Sequence, residues 1–124
     1  MWFRRQRIDE EGWDRRNNEV VQLTNGRNLD EALSAGKALY DDCAADFGRE
    51  HLHSVTALNN LGIIQTLRRE FPEAESYLLL ALQISEKVCG EISREVAAVN
   101  MNLANLYTFK AQSIMERVKG TDET

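Results

Sequence analysis

The chain repeats itself with a period of 42 residues. When it is shifted by that distance, identical residues coincide: Asn18, Asn60 and Asn102; Thr24, Thr66 and Thr108; Arg27 and Arg69; Gly48 and Gly90; Glu31-Ala32 and Glu73-Ala74. A fixed period of about 20–50 residues is typical of proteins built from stacked repeats. In such proteins each unit buries its apolar face against the next unit. The 124 residues are enough for one domain of this kind.

The second unit indicates where two helices begin and end. We expect the first helix to begin at Ser54, as its N-cap, and to end near Arg69. Pro72 starts the second helix, because a proline in the first turn loses no hydrogen bond. The same proline is expected to push Phe71 out of the helical conformation. Gly90 then ends the second helix in a left-handed conformation.

The repeat predicts the organisation of the whole chain. We expect an all-α fold of about five helices, since seven glycines and one proline are too few turn residues for an all-β fold. In the first unit Gly26 ends a helix and Asn28 or Asp30 caps the next. The third unit lacks a second-helix signature, because Glu116 takes the position of Ala74. The predicted segments are an N-terminal extension (1–11), a degenerate first repeat (12–50), a second repeat (51–92), a long terminal helix or cap (93–119) and a disordered tail (120–124).

Small residues mark the places where paired helices approach closely. Gly62 lies in the middle of a predicted helix, where glycine costs about 1 kcal/mol relative to alanine. Close packing must offset that cost. Ala74 and Ala81, seven residues apart, share one face of the partner helix. They are expected to pack against the first helix.

Composition excludes several functional classes. The net charge of −5 argues against a general nucleic-acid binder, which needs a basic surface. The absence of a long apolar run argues against a membrane span, and the start has no apolar stretch of signal-peptide length, so we expect a cytoplasmic protein. Trp2 and Phe3 are followed too soon by acidic residues to be a membrane anchor. Cys43 and Cys89 are expected to be buried free thiols.

These motifs together resemble the tetratricopeptide repeat, in the 42-residue form of kinesin light chains. The resemblance covers about residues 12–110 and is strongest in the second unit, with "HLHSV" at 51–55, "LNNLG" at 58–62, "REFPEAE" at 69–75 and "EKVCGE" at 86–91. The first unit departs from the pattern, with Glu19 where Leu61 and Leu103 stand, and Gly36 where Leu78 stands. The resemblance implies a right-handed superhelical stack of antiparallel helix pairs whose first helices line a concave groove. It also implies a non-enzymatic module that binds a protein or an extended peptide segment.

One arc of each first helix is expected to face that groove, because each helical residue advances about 100°. Asparagine amides there could pair with the backbone of a peptide, and apolar side chains could select its residues. The asparagines could instead form a ladder that fixes repeat stacking, and the threonines could bond back into their own helices. None of these residues is basic, which argues against a clamp for a C-terminal carboxylate. The predicted groove residues are Asn17, Asn18, Val21, Thr24, Asn59, Asn60, Ile63, Thr66, Leu67, Met101, Asn102, Asn105 and Phe109.

Two further functions were weighed against groove binding. The terminal helix could stack into homo-oligomers or onto further repeats of a longer chain, because an uncapped repeat exposes part of its apolar stripe. His51 and His53 could belong to a metal site, but no third ligand is evident. No nucleophile, base and oxyanion site can be assembled from the sequence. We therefore expect no enzyme activity, no cofactor, no metal, no nucleic acid and no membrane among its functions or partners.

Overall fold

A computed structural model describes residues 6–122 of the protein. The described residues form five helices and no strand, which confirms the predicted all-α fold of packed helix pairs. The helices are α1 (Glu10–Asn25), α2 (Leu29–Asp46), α3 (Leu52–Leu67), α4 (Phe71–Cys89) and α5 (Arg94–Asp122). Within these residues, no helix is both long enough and apolar enough to span a membrane.

The helices are arranged in two layers around α3. Helix α3 packs against each of the other four, whereas α1 and α5 do not touch each other. The row α1, α3, α5 is called the first-helix layer below, and α2 and α4 form the other layer. Neighbours within the first-helix layer are in contact, but the backbones of α2 and α4 are not. Successive helices are therefore in direct backbone contact only within the first-helix layer.

Two apolar clusters form the core, and α3 contributes to both. One cluster joins α3, α4 and α5, and the other joins α1, α2 and α3. Gly62 permits the close α3–α4 approach, because a Cβ atom at this position would overlap the Leu78 side chain. Gly36 of α2 plays a similar part on the opposite side, where a Cβ would lie 3.0 Å from Leu61 Cδ2. Gly36 of the first repeat therefore leaves space for the Leu61 side chain of the second repeat.

The N-terminus of α3 differs from the prediction. His51, not Ser54, is the N-cap, and its Nδ1 atom accepts a hydrogen bond from the backbone N–H of His53 at 2.9 Å. Ser54 lies buried inside the helix and donates to the Gly48 carbonyl oxygen at 2.8 Å. The serine therefore fixes the preceding loop, and the helix begins two residues earlier because a histidine ring supplies the capping acceptor.

The boundaries of α4 agree with the prediction except at Phe71. Pro72 lies in the first turn, α4 ends at Cys89, and Gly90 has a positive φ of 86°. Phe71 was predicted to be outside the helix, but it is the first residue of α4. Its ring packs against the α3–α4–α5 cluster, and the backbone N–H of Ala74 donates to the Glu70 carbonyl at 2.9 Å. Packing and this first helical bond outweigh the bias that proline imposes on the residue before it.

The first repeat begins earlier than predicted. Helix α1 begins at Glu10, inside the predicted extension 1–11, because the Asp9 side chain caps it by accepting from the Gly12 backbone N–H at 2.7 Å. At its other end Gly26 has a negative φ of −80°, and Arg27 carries the positive φ of 63°. Asn28 lies at the N-cap of α2 as predicted, although its side chain makes no capping hydrogen bond. Trp2 and Phe3 lie outside the described residues.

Helix α5 is longer than the predicted segment 93–119. It begins at Arg94, with Ser93 Oγ accepting from the Val96 backbone N–H at 3.1 Å, and continues to Asp122. Residues 120–122 are therefore helical, where we expected a disordered tail, and 123–124 lie outside the described residues. The Thr121 hydroxyl donates to the Arg117 carbonyl at 3.0 Å and is compatible with the added turn. Cys43 is buried as predicted, but Cys89 is only half-buried.

Candidate interaction surface

The orientation of α3 defines which side of the first-helix layer is open. Gly62 faces α4, Ile64 faces α2, Asn60 bonds to α1 and Asn59 bonds to α5. At about 100° per residue, the remaining side of the helix carries four residues. They are Leu52, Thr56, Ile63 and Leu67, each exposed or half-buried.

The 42-residue period extends this open side onto both neighbouring helices. We call the combined surface the open face. Its members on α1 are Glu10, Asp14, Val21 and Asn25; on α3 Leu52, Thr56, Ile63 and Leu67; and on α5 Arg94, Ala98, Asn105 and Phe109. None of these side chains is fully buried. The open face therefore runs across three helices, of which α3 contacts the other two.

Two asparagine pairs connect the first helices beneath the open face. Asn60 Nδ2 donates to Asn17 Oδ1 at 2.7 Å, and Asn102 Nδ2 donates to Asn59 Oδ1 at 3.1 Å. Donor and acceptor occupy the same repeat positions in both pairs, 43 residues apart. The asparagine ladder predicted as an alternative is therefore present among the described residues. It links α1 to α3 and α3 to α5.

The chemistry of the open face changes along the helices. Near the C-terminal ends of the first helices it is apolar, with Val21, Ile63, Leu67 and Phe109. Near the N-terminal ends it carries charges at its two edges. Glu10 and Asp14 lie on α1, and Arg94 lies on α5. The paired asparagines separate the apolar half from the charged half.

Comparison with known families agrees with this architecture. Residues 54–95, from the first turn of α3 to the first turn of α5, match the family model described as tetratricopeptide repeat. This segment is similar to a tetratricopeptide repeat. The match supports the predicted resemblance to that family, which is one of protein–protein interaction modules. No curated protein and no solved structure matches the chain.

The threonines that recur every 42 residues bond within their own helices. Thr24, Thr66 and Thr108 donate to the carbonyls of Val20, Gly62 and Ala104 at 2.7, 2.8 and 2.9 Å. Thr66 is only 5% exposed and lies on the side of α3 that α4 covers. Thr66 is therefore not available to a ligand. The predicted back-bonding of the threonines is observed at all three positions.

Two other predicted residues lie at the ends of the repeat stack and not on the open face. Asn18 corresponds to Asn60, which points toward the preceding helix, so Asn18 faces solvent beyond α1. Met101 corresponds to Asn59, which points toward the following helix, and Met101 is 67% exposed beyond α5. The structure gathers the other predicted apolar residues, Val21, Ile63, Leu67 and Phe109, with Asn105.

Sequence reasoning missed Glu10, Leu52 and Arg94, which form the N-terminal row of the open face. These residues lie 42 residues apart in a single row, so the period could have revealed them. Glu10 and Leu52 were missed because α1 was expected to begin after residue 11 and α3 at 54, whereas Arg94 lies inside the predicted segment 93–119 and was not assigned to the arc. An error of two residues at a helix start removes one row from a predicted surface.

The two histidines weighed as a metal pair have structural partners. His53 stacks on Trp13 with ring centroids 4.4 Å apart, and its Nε2 atom lies 2.7 Å from Glu10 Oε2. His51 uses Nδ1 to cap α3 and contacts the Phe47 ring, with centroids 5.1 Å apart. Across residues 6–122, no group of three or more His, Cys, Asp or Glu side chains is placed to hold a metal ion. The cluster joins the start of α1 to the turn before α3.

Proposed function

We propose that the protein is a non-enzymatic interaction module that binds an extended peptide segment of another protein along the open face. The observation that carries this proposal is the grouping of Ile63, Leu67 and Phe109 with Val21 on one exposed side of three adjacent helices. The segment 54–95 is similar to tetratricopeptide repeats, which are interaction modules, and the open face crosses three helices, of which α3 contacts both others.

The apolar half of the open face supports binding of large apolar side chains. Phe109 and Val21 are exposed at its two edges, and Ile63 and Leu67 are half-buried between them. Apolar surface gains about 25 cal/mol for each Å² that a ligand removes from water. Aromatic and aliphatic anchors of this kind supply most of the binding free energy in many interfaces.

The asparagines beside this half support binding of a peptide backbone. Each inter-helix bond uses one donor of Asn60 or Asn102 and one acceptor of Asn17 or Asn59. An amide side chain has two donor hydrogens and two acceptor lone pairs, so both pairs keep hydrogen-bonding capacity toward the open face. Asn105, which is exposed on α5, adds another such side chain. The amides can therefore stabilise the stack and bind a ligand at the same time.

The charges of the open face favour a peptide that does not depend on a terminal carboxylate. Arg94 is the one basic member of the open face, and it lies at its α5 edge. A clamp for a carboxylate would require several converging cations. The surface therefore suits internal segments of a partner protein.

A peptide-display selection against the purified protein tests this proposal. Binding of the selected peptides is then measured by fluorescence polarisation with Phe109→Ala, Asn105→Ala and the double variant. We expect roughly tenfold or greater weakening for Phe109→Ala, since an aromatic anchor contributes about 1.5–3 kcal/mol. Leu79→Ala is the matched control, because Leu79 is an exposed apolar residue of α4, outside the first-helix layer.

Two results would contradict peptide binding along the open face. The first is a set of peptides whose affinity falls equally with Leu79→Ala and Phe109→Ala. The second is recovery of no peptide by a protein whose helical content and unfolding transition are intact. The predicted alternative, in which the terminal helix joins further copies or repeats, concerns a different side of α5 and does not depend on peptide binding.

A further inference from the structure

Helix α5 buries only one side of its first half. Its buried residues are Val96, Val99, Leu103 and Leu106, and the last three belong to the cluster shared with α3 and α4. The described chain places no helix against the opposite side of α5. That side is nevertheless apolar along most of the helix.

The uncovered side of α5 follows a seven-residue pattern. Ala97, Ala104, Ala111 and Val118 recur every seven residues, and Tyr107 and Ile114 follow three positions after two of them. Met101 and Met115 complete the set, which we call the outer stripe. All are exposed; Met101 is 67%, Met115 65%, Ile114 51%, Val118 47% and Tyr107 46% accessible. A seven-residue apolar repeat indicates pairing with another helix at the shallow crossing angle of a left-handed coil.

The corresponding side of α3 shows what such a surface does when it is covered. Val55 and Gly62 of α3 are buried by α4. Their equivalents on α5, 42 residues later, are Ala97 and Ala104, which are exposed. The outer stripe therefore occupies the side of α5 that corresponds to the side of α3 covered by α4.

The other end of the stack cannot supply that helix from a second copy. The side of α1 that faces away from α3 carries only polar and charged exposed residues: Glu11, Arg15, Asn18, Glu19 and Gln22. Head-to-tail stacking would place these charges against the outer stripe, and burying unpaired charges is unfavourable. The outer stripe of a second copy is an apolar surface of matching length, and pairing two such stripes makes the interface two-fold symmetric and closed.

The spacing of the alanines along α5 permits an antiparallel arrangement. When two α5 helices cross between Tyr107 and Thr108, Ala104 of one copy lies opposite Ala111 of the other, and Ala97 lies opposite Val118. Antiparallel packing also opposes the two helix dipoles.

We propose that the protein forms a two-fold homodimer in which the α5 helices pair antiparallel through the outer stripe. The alanines at its centre let the two helices approach closely, and the methionines, Ile114 and Tyr107 cover the edges of the contact. The contact involves one helix from each copy, fewer residues than the 20–30 a side of a standard interface. The dimer is therefore expected to dissociate on dilution through the micromolar range.

Sedimentation equilibrium from low micromolar to several hundred micromolar concentration tests the proposal. The mass of the unaltered protein should rise from 14.2 kDa toward twice that value. Ala111→Glu should stay monomeric over the same range, because it places a carboxylate at the centre of the stripe. Gln112→Glu is the matched control and should associate like the unaltered protein, since Gln112 is exposed on the same helix but lies about 100° away. Circular dichroism should show equal helical content in all three.

Cysteine cross-linking tests the orientation in a Cys89→Ser background. Mixing Ala97→Cys protein with Val118→Cys protein should give a disulfide-linked dimer, because the two positions face each other. Ala104→Cys alone should cross-link poorly, since its two copies would lie seven residues, or about 10 Å, apart along the helices, which is beyond the reach of a disulfide.

Three results would overturn the dimer. They are a constant monomer mass at all concentrations, association that persists in Ala111→Glu, and efficient cross-linking of Ala104→Cys with itself. Peptide capture by the open face is measured separately and should be unchanged in Ala111→Glu. Failure of the dimer and failure of peptide binding are therefore distinguishable.

Discussion

Asn60 of α3 donates a hydrogen bond from its side-chain amide to the side-chain oxygen of Asn17 in α1, 2.7 Å away. Asn102 of α5 repeats the contact with Asn59 of α3 at 3.1 Å. Each interface between successive first helices thus has one amide pair. In each pair the donor is the asparagine that recurs every 42 residues, Asn60 or Asn102. The acceptor lies in the previous helix, one residue before the equivalent recurring asparagine. The repeated asparagine therefore stabilises stacking whether or not a peptide is bound.

The first prediction concerns this amide pair. Asn60→Ala should lower the free energy of unfolding by about 1 kcal/mol, because it removes one inter-helix hydrogen bond between half-buried groups. Urea denaturation measures the change. Asn17→Ala and the double variant complete a cycle, in which the double variant should lose clearly less than the sum of the two single losses.

Asn18→Ala is the control for this prediction, since Asn18 is exposed at the end of the stack and should change stability by less than about 0.5 kcal/mol. Strict additivity of Asn17→Ala and Asn60→Ala would show that the pair contributes nothing. The same cycle can be repeated with Asn59 and Asn102.

The fold could be predicted because its strongest signals are periodic. The 42-residue period, Pro72 in a first turn and Gly90 after a last turn locate the helix pairs without any tertiary information. The start of α3 was less predictable. Serine is a common N-cap, but here Ser54 is recruited by the Gly48 carbonyl and His51 caps the helix. A choice between two capping candidates three residues apart depends on the path of the preceding loop.

The interaction surface was predicted only in part, for a related reason. Helical geometry gives the angle between two residues of one helix, but not the direction in which the next helix lies. Asn59 and Asn60 both belonged to one predicted arc, yet they point to different neighbours, α5 and α1. Ile63 and Leu67 lie between these two directions and are therefore on the open side of α3. Thr66 lies outside them, on the buried side.

A second prediction concerns Gly62. Replacing glycine by alanine within a helix normally stabilises it by up to about 1 kcal/mol. Gly62→Ala should instead destabilise the protein by roughly 1–3 kcal/mol, because the added Cβ would overlap the Leu78 side chain and overpack the α3–α4 contact. Thermal and urea unfolding measure the loss.

Gly120→Ala is the matched control for Gly62→Ala. Gly120 is also helical, but a Cβ there would meet no atom within 4 Å. It should leave stability unchanged or raise it slightly, since it lies near the end of α5. A stabilising Gly62→Ala would show that α3 and α4 do not approach as closely as described.

A third prediction concerns the two thiols. Burial raises the pKa of Cys43, and burial together with the nearby Glu95 carboxylate raises the pKa of Cys89. A raised pKa lowers the thiolate fraction at neutral pH, and the thiolate is the reactive form. Both cysteines should therefore react slowly with iodoacetamide at pH 7, and the rate at Cys89 should increase as the pH is raised.

Exposure should separate the two cysteines at any one pH. Cys89 is half-buried, whereas Cys43 is inaccessible and contacts Ser54 Oγ at 3.6 Å. Mass spectrometry of the labelled native protein should find the label at Cys89 alone, and unfolding in urea should release Cys43. Equal labelling of both in the native state would contradict the packing of α2 against α3.

The last prediction concerns the turn between the helices of each pair. Arg27 and Arg69 both have φ of 63°. Their backbone N–H groups donate to the carbonyl oxygens of Thr24 and Thr66, three residues earlier, at 3.1 and 3.0 Å. A residue with a side chain loses roughly 1 kcal/mol in this left-handed conformation, which glycine adopts freely. In the third unit the equivalent residue is Ala111, the best helix former, and α5 continues straight through it. Arg27→Gly should therefore raise the free energy of unfolding by about 0.5–1 kcal/mol, whereas Arg27→Ala, which keeps a Cβ, should not raise it. Urea denaturation of both variants measures the difference, and equal stability of the two would show that the left-handed conformation of residue 27 carries no cost.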